Sequence, residues 1–248
     1  EGSAKKLLTG IINSGHVAML EHIPMYLEVS ITPLLSEEEL KIINYISTSP
    51  YSKVNKNDET TWYISTNLRV IFENAPNICD EFMSHNGEMF TFKCGYMRCC
   101  KFEEFPDKFY RRVTIKFTMD RIGSQSFCRH RVFSFAQEST RWCNYMKDKF
   151  GNELSIINPC WLKDEDRDDF IHDMEEIEKY YFKWLSKGYK AEDARAFIPF
   201  GLKTEIIMTG FIDAWKHFFD LRVDSHAHKQ ARELAIPLQK YFEEKGYM

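Results

Sequence analysis

Residues 128–142 read Cys128-Arg129-His130-Arg131-Val132-Phe133-Ser134-Phe135-Ala136-Gln137-Glu138-Ser139-Thr140-Arg141-Trp142. Arginine, histidine, hydroxyl and amide side chains interrupt a run that is otherwise apolar and aromatic. Guanidinium groups match the geometry of phosphate oxygens, and hydroxyl donors satisfy the remaining acceptors. A basic surface loop with its own salt bridges is the plainer interpretation. The aromatic residues Phe127, Phe133, Phe135 and Trp142 instead favour a partly buried setting, where unpaired arginines are costly, so the stretch predicts a bound anion.

The same stretch resembles the signature of the flavin-dependent thymidylate synthases, in which Arg-His-Arg is followed at fixed spacing by Ser, Asn-Glu, Ser and Arg-Tyr. The positions in register are Arg129, His130, Arg131, Ser134, Ser139 and Arg141. The chain departs from this signature at Ala136, Gln137 and Trp142, where Asn, Glu and Tyr are usual. The side chain of Gln137 is as long as that of the usual Glu and can still form hydrogen bonds, but it carries no charge. The adjacent Glu138 is a poor substitute, because neighbours on an extended segment face opposite ways.

A second pattern of the same family lies near the start of the chain, just before a predicted strand. The family places Gly-His and then Glu-His there, and this chain has Gly15-His16 and Glu21-His22. Alone, Glu21 and His22 would form an ordinary junction between a helix and a strand. The resemblance implies that they belong to a flavin site, with Ala18 where the family often has a threonine.

The resemblance also implies a reaction. Reduced FAD mediates the transfer of the methylene of 5,10-methylenetetrahydrofolate to C5 of dUMP, NADPH is the reductant, and the products are dTMP and tetrahydrofolate. The flavin carries the redox chemistry, which leaves binding, orientation and electrostatics to the protein. The family implies a homotetramer whose active sites are shared between chains. Attack by a cysteine nucleophile, Cys128 or Cys143, is the weaker alternative.

Site residues follow from the resemblance position by position. The implied FAD contacts are His16, Ala18, Glu21, Arg129, His130, Arg131, Gln137, Phe211 and His217. The implied dUMP contacts are Ser126, Arg129, Gln137, Glu138, Ser139, Thr140, Arg141, Arg195 and Arg222. Arg222 is implied to be catalytic, because a guanidinium beside the uracil ring stabilises its anionic form. A cation that favours a helix C-terminus is the simpler interpretation of Arg222. Phe211, Asp213 and His217 replace polar or basic family residues, which predicts partly different flavin contacts.

Composition narrows the class of protein. The chain has 248 residues, 44% hydrophobic and 15% aromatic, which is enough for a substantial core. A net charge of −4 and a pI of 6.1 argue against a general nucleic-acid surface. The seven cysteines form no paired C-x-x-C pattern, so we expect no metal and free thiols in a reducing cytoplasm. No apolar run reaches the roughly 18 residues of a membrane span, so the chain is predicted to be cytoplasmic with no membrane contact.

Pattern and resemblance together predict an α/β chain of the α+β type, with a mostly antiparallel central sheet flanked by helices, a thymidylate synthase-complementing-protein-like fold. Helices are predicted at 1–14, 36–47, 120–128, 164–187, 191–197, 204–219 and 227–244. Strands are predicted at 23–30, 62–72 and 111–118, and loops at 50–58 and 151–161. A helical piece with turns around Gly87 and Gly95 is predicted within 74–107. Residues 1–248 are predicted to be one domain, from which an N-terminal segment is missing. Residues 33–108 are predicted to be an insertion within this domain. The insertion either adds packing, covers the active site or widens a contact between subunits.

Two other functions remain open from the sequence. A flavoenzyme of the same fold could act on another pyrimidine nucleotide, which the change at Gln137 permits. A single-strand nucleic-acid-binding module could use Arg129, Arg131 and Arg141 on phosphates, with the aromatic side chains stacking on bases. The acidic net charge weighs against the second alternative.

Overall fold

A computed structural model describes residues 2–75, 79–81, 91–92, 94–147 and 150–248. The helices in these ranges are α1 (Gly2–Asn13), α2 (Glu37–Thr48), α3 (Leu68–Asn74), α4 (Arg121–Phe127), α5 (Arg167–Ser186), α6 (Ala191–Ala194), α7 (Ile212–Arg222) and α8 (Lys229–Glu244). The strands are β1 (Pro24–Ser30), β2 (Lys53–Lys56), β3 (Thr61–Asn67), β4 (Cys79–Glu81), β5 (Thr91–Phe92), β6 (Met97–Cys99), β7 (Arg112–Asp120), β8 (Ser134–Gln137) and β9 (Lys203–Phe211). Short 3-10 helices occupy Val17–His22, Lys108–Tyr110, Asp164–Asp166 and Arg195–Phe197.

The strands form two main antiparallel sheets. The first has the order β2-β3-β1-β6 and the second has the order β7-β9-β8, while β4 and β5 pair with each other. In the second sheet, β7 and β9 pair along their whole length, from Arg112↔Phe211 to Asp120↔Lys203. The predicted α/β class with antiparallel strands flanked by helices is confirmed. The strands are divided between two sheets, however, where we expected one central sheet.

The largest correction concerns residues 204–219, which we predicted to be a helix. Residues up to Phe211 form strand β9, and helix α7 begins only at Ile212. In the first half of β9, Thr204, Ile206 and Met208 are buried in alternation with half-buried neighbours. Towards its end the central strand is buried on both faces. The resulting run of apolar residues has no clear period of two, so it resembles a helix in sequence.

Two smaller predictions were also wrong in part. The predicted loop at 50–58 contains strand β2. The predicted strand at 62–72 is strand β3 followed by helix α3, and the side chain of Asn67 caps this helix by accepting a hydrogen bond from the Val70 amide. Outside 74–107, the remaining helix and strand predictions are confirmed within a few residues at their ends. After α3 ends at Asn74, the described residues up to 107 form β4, β5 and β6, and the helical piece predicted there is not found among them. Gly87 and its predicted turn lie outside the described residues.

Each main sheet has its own hydrophobic cluster. In the first, Leu27 and Ile64 of the sheet pack with Ile46 of α2 and Ile71 of α3. The second packs the β7-β9-β8 sheet against α4, α7 and α8, with Trp215 fully buried. The ring of Phe133 lies so close to the backbone of Gly210 that a Cβ there would approach it to 2.4 Å. Glycine at position 210 therefore permits this contact between β9 and the residue that precedes β8.

The segment 33–108, predicted to be an insertion, contributes β2, β3 and β6 to the first sheet, where β3 and β6 flank β1. The two sheets meet at the start of β7, where the Arg112 amide donates a hydrogen bond to the Tyr26 hydroxyl at 2.9 Å. Lys53 of β2 adds an ion pair with Asp213 of α7. The single domain and the insertion remain predictions.

Of the helices in the described part of the chain, none combines the length and the apolar character needed to cross a lipid bilayer. Across the described ranges, no three His, Cys, Asp or Glu side chains converge as a metal site would require.

Candidate active site

The signature directly follows helix α4 and forms a tight turn, the short strand β8 and a second turn. Asp120 caps the start of α4 by accepting a hydrogen bond from the Gly123 amide at 2.5 Å. After the helix ends at Phe127, the chain reverses through Val132, whose φ of +68° is rare for a β-branched residue. The turn exposes Arg129 and Arg131 and directs His130 into the protein, where it is 5% exposed.

His130 and Arg222 form the best-defined polar contact of the site. Arg222 ends helix α7, and its Nε donates a hydrogen bond to Nε2 of His130 at 2.9 Å. Its Nη2 donates a second bond to the carbonyl oxygen of Ser126 at 2.7 Å. The ring of His217, also on α7, lies 6.2 Å from the His130 ring. The fold thus brings together signature residues and the predicted catalytic arginine.

This setting keeps His130 neutral. Burial lowers the pKa of its imidazole to about 4, and the nearby Arg222 and His217 contribute to the shift. Because the guanidinium donates to Nε2, that nitrogen carries the lone pair and Nδ1 carries the hydrogen. Burial and the proximity of Arg129 also lower the pKa of Arg222. Arg129 and Arg222 are therefore two like charges placed near each other.

The arginines of the signature lie at the surface. Arg129, Arg131 and Arg195 are exposed, and within the described part of the chain none of them forms an ion pair. Arg141 pairs with Glu192 of α6 at 3.3 Å, and the side chain of Arg141 is exposed while that of Glu192 is partly exposed. Trp142 is 79% exposed. The expectation of a partly buried setting was correct for His130 and wrong, within a single chain, for these arginines and for Trp142.

Most other predicted dUMP residues are already hydrogen bonded within the chain. Gln137 Nε2 donates to Ser124 Oγ at 2.7 Å and to Thr204 Oγ1 at 3.3 Å. Glu138 accepts from the Glu205 amide at 2.9 Å, and its other oxygen lies 3.5 Å from Lys203 Nζ. The Ser126 hydroxyl donates to the Gly123 carbonyl at 2.7 Å, the Ser139 hydroxyl accepts from the Arg141 amide at 3.4 Å, and Thr140 is buried. The hydrogen bonds of these side chains hold the backbone of the site in place. The Glu138 carboxylate connects the residue that follows β8 to Lys203 and Glu205 of β9.

The second sequence pattern lies beside the signature strand, although more than a hundred residues separate them along the chain. The 3-10 helix Val17–His22 places Glu21 inside and leaves His16 and Ala18 exposed. His22 Nδ1 lies 2.8 Å from Thr209 Oγ1 on β9. The Glu21 carboxylate accepts from Arg69 Nη1 at 2.6 Å.

Arg112 links the two patterns, although it was not among the site residues predicted from the sequence. It is 3% exposed, and its Nη2 donates to Ser134 Oγ at 3.3 Å and to the Glu21 carbonyl at 3.4 Å. Its guanidinium lies 4.8 Å from the centre of the Phe211 ring, and its buried Nε has no hydrogen-bond partner among the described residues. Burial lowers the pKa of Arg112 to about 10. The only feature of the sequence that pointed to Arg112 was the presence of a charged residue at the start of an alternating strand.

Phe211 and Asp213, predicted near the flavin, lie in the same seam between the sheets. Phe211 is fully buried, with Arg112 near its ring and Lys53 Nζ 5.1 Å from its centre. Asp213 forms the ion pair with Lys53. A single chain therefore leaves no exposed ring surface of Phe211 for a ligand, whereas His217 is exposed next to His130.

The chemistry of the donor set suits anionic ligands. Exposed Arg129, Arg131 and Arg195 have no carboxylate partners in the described part of the chain, and Arg222 has N–H groups that its two bonds do not use. Guanidinium groups in such surroundings bind phosphate oxygens well. The residues present therefore fit a nucleotide phosphate and the pyrophosphate of a dinucleotide such as FAD.

Acidification is expected to destabilise the fold through His130. In the unfolded chain its pKa is near the ordinary value of 6.5, whereas in the folded chain it is about 4. Between these values the unfolded state binds more protons, so the free energy of unfolding falls as the pH falls, by up to about 3 kcal/mol. Urea unfolding across this window should show a shallower pH slope for His130→Gln than for the unchanged protein. Acidic residues with lowered pKa values affect both proteins alike, so an equal slope would contradict the prediction.

Comparison with known proteins gives a consistent result. The sequence profile of the family described as thymidylate synthase complementing protein matches residues 110–245. A flavin-dependent thymidylate synthase of Synechocystis is 27% identical over 146 residues, which cover 52% of this chain and 65% of that protein. Enzymes of the same name from Pyrococcus furiosus and Corynebacterium glutamicum are 32% and 28% identical over 118 and 136 residues. These two matches cover 46% and 48% of this chain, and 47% and 52% of the relatives.

The chain thus spans about half to two thirds of the length of these curated relatives. The profile match covers more than half of the chain and includes the signature, β7, β8, β9 and helix α7, which carries His217 and Arg222. Since the match covers more than half of the chain and contains the signature, this chain belongs to the thymidylate synthase complementing protein family.

Proposed function

We propose that the protein is a flavin-dependent thymidylate synthase that forms dTMP from dUMP. It takes the methylene group from 5,10-methylenetetrahydrofolate and uses NADPH as the reductant through FAD. The observation that carries this proposal is the cluster around His130, in which Arg222 donates hydrogen bonds to His130 and to the Ser126 carbonyl while burial and the nearby charge of Arg129 lower the pKa of Arg222. An anionic nucleotide would relieve this repulsion, and the family supplies the identity of that nucleotide.

In this proposal the dUMP phosphate binds the exposed arginines Arg129, Arg141 and Arg195, with backbone amides near Ser139 and Thr140. The Arg141 pair with Glu192 is exposed and hence weak, so a phosphate can replace the carboxylate at little cost. Arg222 is the catalytic residue, because its charge stabilises the anionic uracil ring that makes C5 nucleophilic.

FAD is proposed to lie along the two sequence patterns. Its contacts are His16, Ala18, Glu21, Arg129, Arg131, Gln137 and His217, and bound FAD supplies the redox chemistry. His130 is left out of this set because its Nε2 already accepts a hydrogen bond from Arg222. We leave Phe211 out of this set because its ring is fully covered by the chain itself.

We further propose that the active protein is a homotetramer with shared sites. The exposure of Arg131 and Trp142 in a single chain supports this proposal, because residues of a second copy could complete the walls around them. Neither a nucleic acid nor a membrane is required by this function.

The first test is the visible spectrum of the protein incubated with FAD. We expect flavin absorbance at about 450 nm to remain with the protein after desalting and to bleach on addition of NADPH. Addition of dUMP and methylenetetrahydrofolate should then yield dTMP, detected by chromatography. Retained flavin reduction without dTMP from dUMP, but with turnover of another pyrimidine nucleotide, would indicate the alternative substrate. Protein that binds no FAD would contradict the proposed function.

A further inference from the structure

The guanidinium of Arg222 is held on one side by two fixed acceptors. Nε donates to the His130 imidazole at 2.9 Å, and Nη2 donates to the Ser126 carbonyl at 2.7 Å. A planar guanidinium bonded at two points has little freedom to rotate. Its remaining N–H groups, both on Nη1 and the second on Nη2, are thereby given a defined direction. Among the described residues, none accepts a hydrogen bond from Nη1.

The imidazole that accepts from Arg222 is itself fixed in place. His130 is buried, its ring lies 4.9 Å from that of Phe218 and 6.2 Å from that of Phe133, and its amide donates to the Phe127 carbonyl at 3.1 Å. These contacts come from α7, from the turn before β8 and from the end of α4. The acceptor is therefore rigid with respect to the helix that carries Arg222.

The chemical state of His130 suits an acceptor and not a cation. The charged or titratable groups that act on its ring are Arg222 and His217, both from α7, and the other packed groups are the phenylalanine rings. Arg129, from the same turn as His130, lies near Arg222. No carboxylate within the described residues stabilises a charged imidazole here. A protonated ring would lose its bond to Arg222 and would face that cation directly.

We propose that His130 is a positioning residue, a neutral imidazole that fixes the Arg222 guanidinium so that its unused N–H edge faces the uracil ring of dUMP. The proposal rests on the function proposed above. It assigns His130 a role other than the flavin contact that the resemblance implies, because Nε2 is already engaged by Arg222.

Two substitutions of similar size separate these roles. In His130→Gln the side-chain oxygen reaches the position of Nε2 and can still accept from Arg222. In His130→Asn the oxygen reaches only the position of Nδ1, which leaves Arg222 Nε without this acceptor. We expect the asparagine variant to lose about 10- to 100-fold in kcat/KM for dUMP, mainly in kcat, as for loss of a hydrogen bond to a charged group. The glutamine variant should be at least about fivefold more active than the asparagine variant.

A double-mutant cycle with Arg222→Ala provides the decisive readout. If His130 acts through Arg222, His130→Asn should change kcat/KM by less than about twofold once Arg222 is absent. The FAD dissociation constant, measured by flavin fluorescence, should be unchanged by His130→Asn. Independent effects of the two substitutions, together with weaker FAD binding, would show a direct cofactor contact and overturn the proposal. His172→Gln, at an exposed position of α5, is the matched control.

A measurement without substrate keeps the inference separate from the proposed function. Nitrogen-15 NMR of the ring should show His130 with its hydrogen on Nδ1 at neutral pH, and hydrogen on Nε2 would overturn the proposal. Wild-type protein that binds no dUMP would overturn both the proposed function and this role. Wild-type protein that binds dUMP and gives an additive cycle would overturn the positioning role alone.

Discussion

Arg222→Ala is expected to lower kcat for dTMP formation by about 10²- to 10³-fold, the size observed when a preorganised electrostatic contact to a developing anion is removed. The substitution also leaves His130 Nε2 and the Ser126 carbonyl without the donors they have now. His130 is buried, and an unpaired buried acceptor costs about 1–3 kcal/mol, so some loss of stability should accompany the loss of rate. Steady-state rates at saturating dUMP, measured alongside urea unfolding, separate the two effects.

Arg222→Lys tests whether a positive charge at position 222 is sufficient without the planar guanidinium. Lysine keeps the positive charge but lacks the planar fork that reaches His130 and Ser126 together. We expect the lysine variant to recover only a small part of the lost rate. Arg167→Ala, at an exposed position of α5 outside the site, controls for a general loss of charge. A kcat for Arg222→Ala within about threefold of the wild type would contradict the catalytic role.

Trp215→Ala is expected to lower the free energy of unfolding by about 3–5 kcal/mol, as for other large aromatic residues removed from a core. Trp215 is fully buried, and its ring centre lies 4.8 Å from Phe133, 5.3 Å from Phe218 and 5.5 Å from Phe242. Its indole nitrogen donates to the Val113 carbonyl at 3.2 Å, a bond that alanine cannot make. The substitution would therefore leave a cavity and an unsatisfied acceptor between β7 and α7.

The control is Tyr180→Ala, because Tyr180 is 53% exposed on helix α5, outside the proposed site. Its effect on the free energy of unfolding should stay within about 0.5 kcal/mol. Urea unfolding followed by circular dichroism measures both variants. Equal losses at the two positions would mean that Trp215 does not hold the second sheet against α7.

Trp215 also connects the core with the site. It shares helix α7 with His217 and Arg222, and it packs against Phe133 and Phe218, whose rings flank His130. The position of the proposed catalytic arginine therefore depends on apolar packing several residues away. This dependence explains why short polar patterns predict the residues of such a site more readily than their arrangement.

Much of the local structure was predictable from short-range patterns. The apolar spacing of α5 and the sequence alternation at β1 and β7 each act over a few residues. The signature around His130 likewise indicated both the family and the preference for an anion. None of these inferences required a partner distant in the chain.

Strand β9 shows where such reasoning fails. Its sequence Ile206-Ile207-Met208 is compatible with a helix or a strand, and its pairing with β7 and β8 decides between them. Central strands are buried on both faces, so the alternation that would reveal them is lost. Likewise, Asp213 pairs with Lys53, which lies 160 residues earlier in the chain, and no local pattern predicts that contact.

The sequence by itself determined the family signature, the cationic character of the site and most of the helices, because these depend on residue type and spacing. Only the tertiary structure decided that His130 accepts a hydrogen bond from Arg222, that Arg112 is buried between the two sequence patterns, and that the arginines of the signature are exposed in a single chain. The physical reason is that burial and hydrogen-bond pairing depend on which segments pack together, and the segments that form this site are up to about 200 residues apart.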